Sequence, residues 1–249
     1  MPAPTNGLQV FYNLEDKTLG SYIDLSPNAN HGVPRNSPSV TTGTVGNSIH
    51  ITGTGADATA TSVSLSTFTN ADISGPNTIA AWLRADSVGA GRIAWAFRNN
   101  STTNYRIFGF LLRGATTVWL ASGGPDATGA SSVRSALSNP DIVASKWYHL
   151  VVTFNTSKAS AIYLGGTFAS APAQDFFADP GRVRRIGNNA AGTGWAGDVD
   201  EFRFYNRILT STEINNIFTD ATDYPLPKKR RGEYLPATYP GAHIGPRRR

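Results

Sequence analysis

The segment Trp147-Tyr148-His149-Leu150-Val151-Val152-Thr153-Phe154 decides the fold class of this chain. Successive side chains of a β-strand point to opposite faces of the sheet, so the apolar even-numbered positions lie together. The side chains that we predict to face the core are Tyr148, Leu150, Val152 and Phe154. The odd-numbered side chains then share the opposite face.

Six further segments carry β-branched and aromatic residues between turn-forming clusters, and they predict strands at 78–84, 92–98, 105–113, 117–121, 160–164 and 197–205. Segments 26–32, 122–132 and 187–194 are rich in glycine and polar residues, which predicts loops. The Ala, Ser, Thr and Gly of residues 52–75 suggest long exposed loops. With 25 Gly, 15 Pro and a single Met, the 249-residue chain has the composition of short strands joined by many turns.

The absence of cysteine excludes disulfides, thiolate metal sites and a cysteine nucleophile. The N-terminus has no basic stretch followed by an apolar run, and no run of about 18 apolar residues occurs. We therefore expect neither an N-terminal secretion signal nor a membrane partner.

Residues 210–219 predict one short helix. Thr210 is a capping residue, and Glu213 three positions later completes a capping box. Leu209 and Ile214 form a hydrophobic staple, and Ile214, Ile217 and Phe218 line one face. The helix should pack on the edge of the β-domain.

The last 29 residues differ from the rest of the chain. Residues 221–249 hold seven Lys/Arg, two acids and five Pro, whereas the remaining residues carry 15 basic and 15 acidic groups. This composition predicts a β-domain at 1–220 and an extended basic arm at 221–249. The predicted partner-binding residues of the arm are Lys228, Lys229, Arg230, Arg231, Tyr234, Tyr239, Arg247, Arg248 and Arg249.

The chain resembles the concanavalin A-like sandwiches of the laminin G-like group over most of residues 7–218. The residues that carry the resemblance are 7–14 (GLQVFYNL), 24–32 (DLSPNANHG), 47–51 (NSIHI), 78–83 (TIAAWL), 147–154 (WYHLVVTF), 185–188 (RIGN) and 197–209 (GDVDEFRFYNRIL). The resemblance implies an all-β fold of two antiparallel sheets in a jelly-roll sandwich that binds glycans or proteins. It does not identify the ligand, because this fold serves many unrelated functions.

A calcium site is one hypothesis for the polar loop. Asp24, Asn28 and Asn30, with Asp200 from the closing strand, offer the oxygen ligands that calcium takes. The alternative is that Asp24 and the asparagines form Asx-turns while Asp200 accepts a structural hydrogen bond. The predicted cofactor is accordingly none, or a structural calcium ion.

Two further groups of residues bear on ligands and catalysis. Trp195, with glycines on both sides, suggests an exposed loop tip that binds a ligand together with Asn188 and Asn189. Asp198 and Asp200 share a face of their strand, but Glu201 points away, so the acid pair of a glycosidase is not assembled. We predict no catalytic residues and no enzyme activity.

Three functions remain open. The first is a bacteriophage virion protein, such as a capsid decoration or cement protein on the virion surface. Its arm would bind the major capsid protein or other copies of itself, with host glycans as possible further ligands and nucleic acid as a less favoured partner of the arm. The second is an extracellular carbohydrate-binding or adhesion module that recognises cell-surface polysaccharide. The third is a glucanase-type enzyme.

Overall fold

The computed structural model describes residues 3–15, 17–18, 20–54, 60–65, 75–87, 92–98, 107–112, 117–125, 131–138, 142–155, 160–170, 183–187 and 193–223. Within them the chain forms seventeen β-strands and one α-helix. The elements are β1 (Leu8–Tyr12), β2 (Lys17–Thr18), β3 (Ser21–Tyr22), β4 (Val33–Arg35), β5 (Ser39–Thr42), β6 (Asn47–Thr54), β7 (Ser62–Ser64), β8 (Asn77–Ala85), β9 (Arg92–Arg98), β10 (Ile107–Leu112), β11 (Thr117–Pro125), β12 (Ser131–Ser138), β13 (Trp147–Phe154), β14 (Ser160–Leu164), β15 (Thr167–Ser170), β16 (Val183–Ile186), β17 (Thr193–Tyr205) and α1 (Ser211–Asp223).

The strands form two large antiparallel sheets and one small hairpin. The first sheet has the order β15-β14-β13-β8-β17-β6-β5, and β1 also pairs with β17. The second sheet has the order β12-β11-β10-β9-β16-β7-β4, and β2 pairs with β3 alone. Sequence neighbours such as β8 and β9 lie in different sheets, so the chain crosses between the sheets repeatedly, as in a jelly-roll sandwich.

The hydrophobic core lies between the two large sheets. Its buried members include Ile49, Ile79, Leu83, Leu150, Val152, Phe154, Phe202 and Phe204 of the first sheet, and Val63 and Ile186 of the second. The even-numbered positions of β13 face this core, with Tyr148 packed at its edge, which confirms the alternation predicted for 147–154. The sandwich is therefore held by apolar side chains from both sheets.

Strand β17 changes its inward face at a bulge. Before the bulge Val199 points into the core, and after it Phe202 and Phe204 do. The pairing with β8 shifts between Asp200 and Arg203, where Glu201 adopts a φ of 51°. A bulge inserts one extra residue, which moves every later side chain to the other face. Arg203 thereby joins Asp200 on the outer face of the first sheet, where it forms an ion pair with Glu201 at 2.7 Å.

Helix α1 covers part of that outer face. The capping box forms as predicted, because the N–H of Thr210 donates to Glu213 at 2.9 Å and the N–H of Glu213 donates to Oγ1 of Thr210 at 3.3 Å. The helix extends to Asp223, past the predicted residue 219. Leu209, Ile214 and Ile217 join a second buried cluster, whose members from the first sheet and β1 are Leu8, Ala80, Val151 and Tyr205.

Several loop predictions are wrong in part. β11 continues to Pro125 and β12 starts at Ser131, inside the predicted loop 122–132, because pairing between the two strands stabilises even glycine-rich segments. In the region 52–75, Val63 and Leu65 are buried core residues. The basic arm lies outside the described residues beyond Asp223. In the part of the chain that the structure describes, no helix has the length and hydropathy needed to cross a membrane.

Candidate functional site

Five residues form a row across the outer face of the first sheet, which we call the outer row. They are successive cross-strand partners in β13, β8, β17, β6 and β5, namely Trp147, Arg84, Asp198, His50 and Ser39. Directly opposed residues of antiparallel strands place their side chains on the same face within contact distance. The register therefore brings together residues that are as many as 159 positions apart in the sequence, from Ser39 to Asp198.

Asp198 is the centre of the outer row. Nε of Arg84 donates to its Oδ2 at 2.6 Å, Oγ1 of Thr41 donates to Oδ1 at 2.8 Å, and Nδ1 of His50 lies 3.1 Å from the same oxygen. The side chain of Asp198 is only 2% exposed, whereas those of Arg84 and His50 are about one third and one quarter exposed. Both carboxylate oxygens are therefore engaged within the protein, and the partners reach the surface.

Arg84 also contacts the aromatic end of the outer row. Its guanidinium carbon lies 5.1 Å from the ring centroid of Trp147, a distance typical of a cation–π contact. Trp147 itself is partly exposed and packs at the margin of the cluster of Val45, Trp82 and Phe218. This contact places an aromatic ring beside the N–H donors of the guanidinium.

An exposed acid lies beside His50 of the outer row. Nε2 of His50 lies 3.7 Å from Oδ2 of Asp86, which follows β8. His50, Asp86 and Asp198 place one potential metal-ligand atom each within 4.8 Å of one another. Because the guanidinium of Arg84 already occupies Asp198, this cluster is a poor site for a cation.

A hydrolytic triad is not assembled at the outer row. The Asp198–His50 pair has the geometry that orients a catalytic histidine, but Nε2 of His50 faces Asp86 and not a hydroxyl group. Ser39 is the cross-strand partner of His50, yet no hydrogen bond joins the two side chains. The described residues therefore provide orientation and hydrogen bonding here and no activated nucleophile.

A second row lies two residues further along the strands, beneath α1 and the β5–β6 turn, and we call it the buried row. It consists of the cross-strand partners His149, Trp82 and Asp200, all buried. The ring of Phe218 from α1 stacks 5.5 Å from Trp82 and lies 5.6 Å from His149. The helix thus separates the buried row from the surface and leaves the outer row open.

Burial perturbs both titratable groups of the buried row. It lowers the pKa of His149 to about 3, and the nearby charge of Arg203 acts in the same direction. Burial raises the pKa of Asp200 to about 6, although backbone and side-chain donors oppose the rise. Nδ1 of His149, Nε1 of Trp82 and Oδ1 of Asp200 are buried without a hydrogen-bond partner.

The β5–β6 turn holds Asp200 in place. Its Oδ2 accepts hydrogen bonds from the N–H and Oγ1 of Thr44 at 2.8 and 2.9 Å and from the N–H of Val45 at 3.2 Å. A Cβ atom at Gly43 would lie 2.5 Å from the same oxygen, so this position requires glycine. Asp200 therefore has a structural contact that joins the turn to β17.

The residues of the calcium hypothesis separate into two places. Asp24 accepts hydrogen bonds from the N–H groups of Phe11, Ser26 and Asn30 and from Oγ of Ser26, at 2.7 to 2.9 Å. The amides of Asn28 and Asn30 donate to backbone carbonyls of β1. Asp200 binds the β5–β6 turn instead. This arrangement has the form of an Asx-turn around Asp24, and calcium binding stays a hypothesis for experiment.

Trp195 does not lie at an exposed loop tip. It is in β17, it is 2% exposed, and Nε1 donates to the carbonyl of Asp198 at 3.1 Å. The prediction of an exposed ring there is wrong, because Gly194 and Gly197 belong to β17 and the ring packs into the core between the sheets. Asn188 and Asn189 lie outside the described residues, as do Lys228, Lys229, Arg230, Arg231, Tyr234, Tyr239, Arg247, Arg248 and Arg249.

The sequence did not reveal the outer row as a site. The alternation of 147–154 places Trp147 on the outer face, and Asp198 was considered only together with Asp200 and Glu201 as a glycosidase acid. Arg84 and His50 gave no signal, because their meeting with Asp198 depends on the order of the strands in the sheet. A search for polar residues on the non-core face of each predicted strand would have found the candidates but not their pairing.

Two antiparallel sheets packed face to face around an apolar core define a jelly-roll sandwich, an architecture that lectin domains share. The laminin G-like model described as "Concanavalin A-like lectin/glucanases superfamily" matches residues 54–215. Since the match covers more than half of the chain, the chain belongs to this family. A comparison with curated protein sequences found no match.

Solved structures share the fold at low sequence identity. Domain 4 of AbnA, a GH43 extracellular arabinanase from Geobacillus stearothermophilus in complex with arabinotriose, has a TM-score of 0.64 and 16% identity over 84% of this chain and 97% of that one. The binding domain of Paraclostridial Mosquitocidal Protein 1 has a TM-score of 0.61 and 15% identity over 86% and 52%. A Trypanosoma rangeli sialidase mutant displaying trans-sialidase activity has a TM-score of 0.59 and 15% identity over 88% and 33%. This chain therefore spans about half the length of the mosquitocidal binding domain and about one third of the length of the sialidase. All three structures share the fold of this chain.

Proposed function

We propose that this protein is a non-catalytic carbohydrate-binding domain and that the outer row is its sugar-binding surface. The observation that carries the proposal is the combination of a partly exposed Trp147 with the surface-reaching groups of Arg84, His50 and Asp86 on one face. Sugars present apolar C–H faces and many hydroxyl groups. An aromatic side chain beside a few oriented polar groups matches both features.

The geometry of the carboxylates supports a binding function over hydrolysis. Glycoside hydrolysis requires two acids that flank an accessible bond. Asp198 is ion-paired with Arg84 and buried, and Asp200 is buried and bound by Thr44 and Val45. Neither acid can reach a substrate in this conformation.

One structural neighbour supports this proposal. Domain 4 of the arabinanase matches this chain over 97% of its own length. Its structure was determined in complex with arabinotriose. By analogy we place this chain outside the cell, where polysaccharides are accessible. A shared fold identifies no ligand, so the outer row, and not the fold, supports carbohydrate binding by this chain.

A glycan array probed with the full-length protein tests the function, followed by calorimetric titration of each neutral or acidic glycan that binds. We expect a defined set of bound glycans with micromolar to millimolar affinity and no hydrolysis products. Absence of binding to every glycan and to insoluble polysaccharide would refute the proposal. Release of shorter sugars would show an enzyme instead.

The virion hypothesis stays a separate prediction, because it depends on the arm outside the described residues. Helix α1 ends at Asp223, so removal of residues 224–249 leaves every described element in place. If the arm binds a capsid protein or another copy of the chain, this truncation should abolish incorporation and leave the fold unchanged. A capsid decoration protein that presents its sandwich outward could also bind host glycans, so the two hypotheses are compatible.

A further inference from the structure

We propose that the outer row binds a neutral oligosaccharide in an extended conformation that runs across the strands, and not a single terminal sugar or an acidic glycan. This inference rests on the proposed function. It adds the class of ligand, its direction on the sheet and the residues that determine its length.

The length follows from the register. Trp147, Arg84, Asp198 and His50 belong to four neighbouring strands, β13, β8, β17 and β6. Adjacent strands lie about 4.8 Å apart, so the three steps from Trp147 to His50 span about 14 Å. A surface of this length contacts several consecutive sugar units, whereas one sugar ring reaches only one or two of the side chains.

The direction follows from helix α1 and from the order of exposed groups. The helix and Phe218 cover the adjacent buried row, so a ligand cannot extend along the strands toward His149. The groups that reach the surface lie instead along the row from Trp147 to His50, with the carboxylate of Asp86 beside His50. An extended chain must therefore cross the strands to contact both ends.

The charge of the outer row selects against acidic sugars. Asp198 is bonded to Arg84 at 2.6 Å, so the guanidinium charge is already compensated within the protein. Asp86 has a side chain that is 48% exposed, and its carboxylate would repel a uronate, sulfate or sialate group. The remaining N–H groups of Arg84 and the imidazole of His50 suit neutral hydroxyl groups.

The test uses calorimetric titration of the full-length protein with arabinose, arabinotriose and longer arabino-oligosaccharides, with xylo- and gluco-oligosaccharide series of the same lengths. Oligogalacturonides and sialylated glycans provide the acidic counterparts. We expect affinity for a neutral series to rise about tenfold from the single sugar to the trisaccharide, or about 1.4 kcal/mol. High salt should leave this binding unchanged, because no ion pair with the ligand is screened.

Two variants probe the aromatic end of the outer row and the acid beside His50. Trp147→Ala and Asp86→Ala should each weaken binding of the longest neutral oligosaccharide about tenfold. Phe168→Ala is the matched control, because Phe168 is an exposed aromatic residue of the same sheet in β15, which lies beyond β14 on the side of β13 away from the outer row, and this variant should bind normally. Asp86 is a surface residue after the end of β8, so its variant tests the inference even if Trp147→Ala does not fold.

The outcomes separate the two proposals. If glycans bind but neither Trp147→Ala nor Asp86→Ala weakens them, or if single sugars bind as tightly as chains, the inference is overturned and the carbohydrate function survives. Binding restricted to acidic glycans would also overturn it. If no glycan of any class binds, both the inference and the proposed function fall.

Discussion

Nε of Arg84 lies 2.6 Å from Oδ2 of Asp198, and this ion pair connects β8 to β17 on the outer face of the first sheet. The two residues are direct cross-strand partners, so the register of β8 and β17 alone places their side chains within reach of each other. The pair fixes the middle of the outer row. It gives Arg84 one orientation, in which the guanidinium lies against Trp147.

Replacement of Asp198 by alanine should lower the free energy of unfolding by about 2 to 3 kcal/mol. The change leaves Arg84, His50 and Oγ1 of Thr41 without their common acceptor. The cost is below that of a fully buried pair because Arg84 can still contact water. Urea unfolding measures the change. As a control, Asp86→Ala removes an exposed carboxylate and should change the free energy of unfolding by less than about 0.5 kcal/mol. Equal effects of the two variants would contradict the central position of Asp198.

Asp200 should make the protein less stable as the pH rises from about 4 to about 6. Its pKa is near 3.8 in an unfolded chain and about 6 in the fold, so the folded state binds the proton more tightly over this interval. Asp200→Asn retains an acceptor for Thr44 and Val45 and removes the buried charge. Thermal unfolding across the interval should show this decline in the wild type and a smaller decline in the variant. Identical profiles would show that Asp200 does not titrate in this range.

His149 should contribute the opposite slope. Its pKa falls from 6.5 to about 3 on folding, so the unfolded chain binds the proton more tightly and stability is lost as the pH decreases from about 6.5 toward 3. His149→Phe keeps an aromatic ring between Trp82 and Phe218 and removes the partnerless Nδ1. Relative to the wild type, this variant should be more stable at about pH 4 than at about pH 7. A constant difference at both pH values would refute the assignment.

Thr210→Ala should destabilise the protein by about 1 kcal/mol, because it removes the hydroxyl that accepts from the N–H of Glu213 at the start of α1. Thr212→Ala changes an exposed threonine in the same helical turn and provides the control. Chemical unfolding of both variants measures the difference. A cap that contributes nothing would give two equal unfolding curves.

Thermal unfolding with calcium and with a chelator tests the calcium hypothesis. The oxygens of Asp24 accept backbone and hydroxyl hydrogen bonds, and the amides of Asn28 and Asn30 point their N–H groups at carbonyls. We therefore expect the same melting temperature in both conditions. A rise with calcium that the chelator reverses would support the ion, and Asp24→Asn and Asp200→Asn would then show which of the two places binds it.

Local patterns predicted the local elements well. The observed β9 (Arg92–Arg98) and β14 (Ser160–Leu164) have the predicted bounds, and the capping box at Thr210 forms as expected. Trp195 was misjudged because glycines near a tryptophan occur both in loops and in strands whose backbones approach closely. Gly197 shows the second case, since a Cβ there would lie 2.1 Å from the carbonyl oxygen of Arg84.

The amino-acid sequence by itself determined the strands and the capped helix, because alternation and capping depend on residues within a few positions of one another. Only the tertiary structure decided that Trp147, Arg84, Asp198 and His50 form one row and that Asp24 and Asp200 lie in separate places. Strand order and register arise from contacts between distant segments. The bulge at Glu201 moves every later side chain of β17 to the other face, and no pattern in the neighbouring residues predicts it.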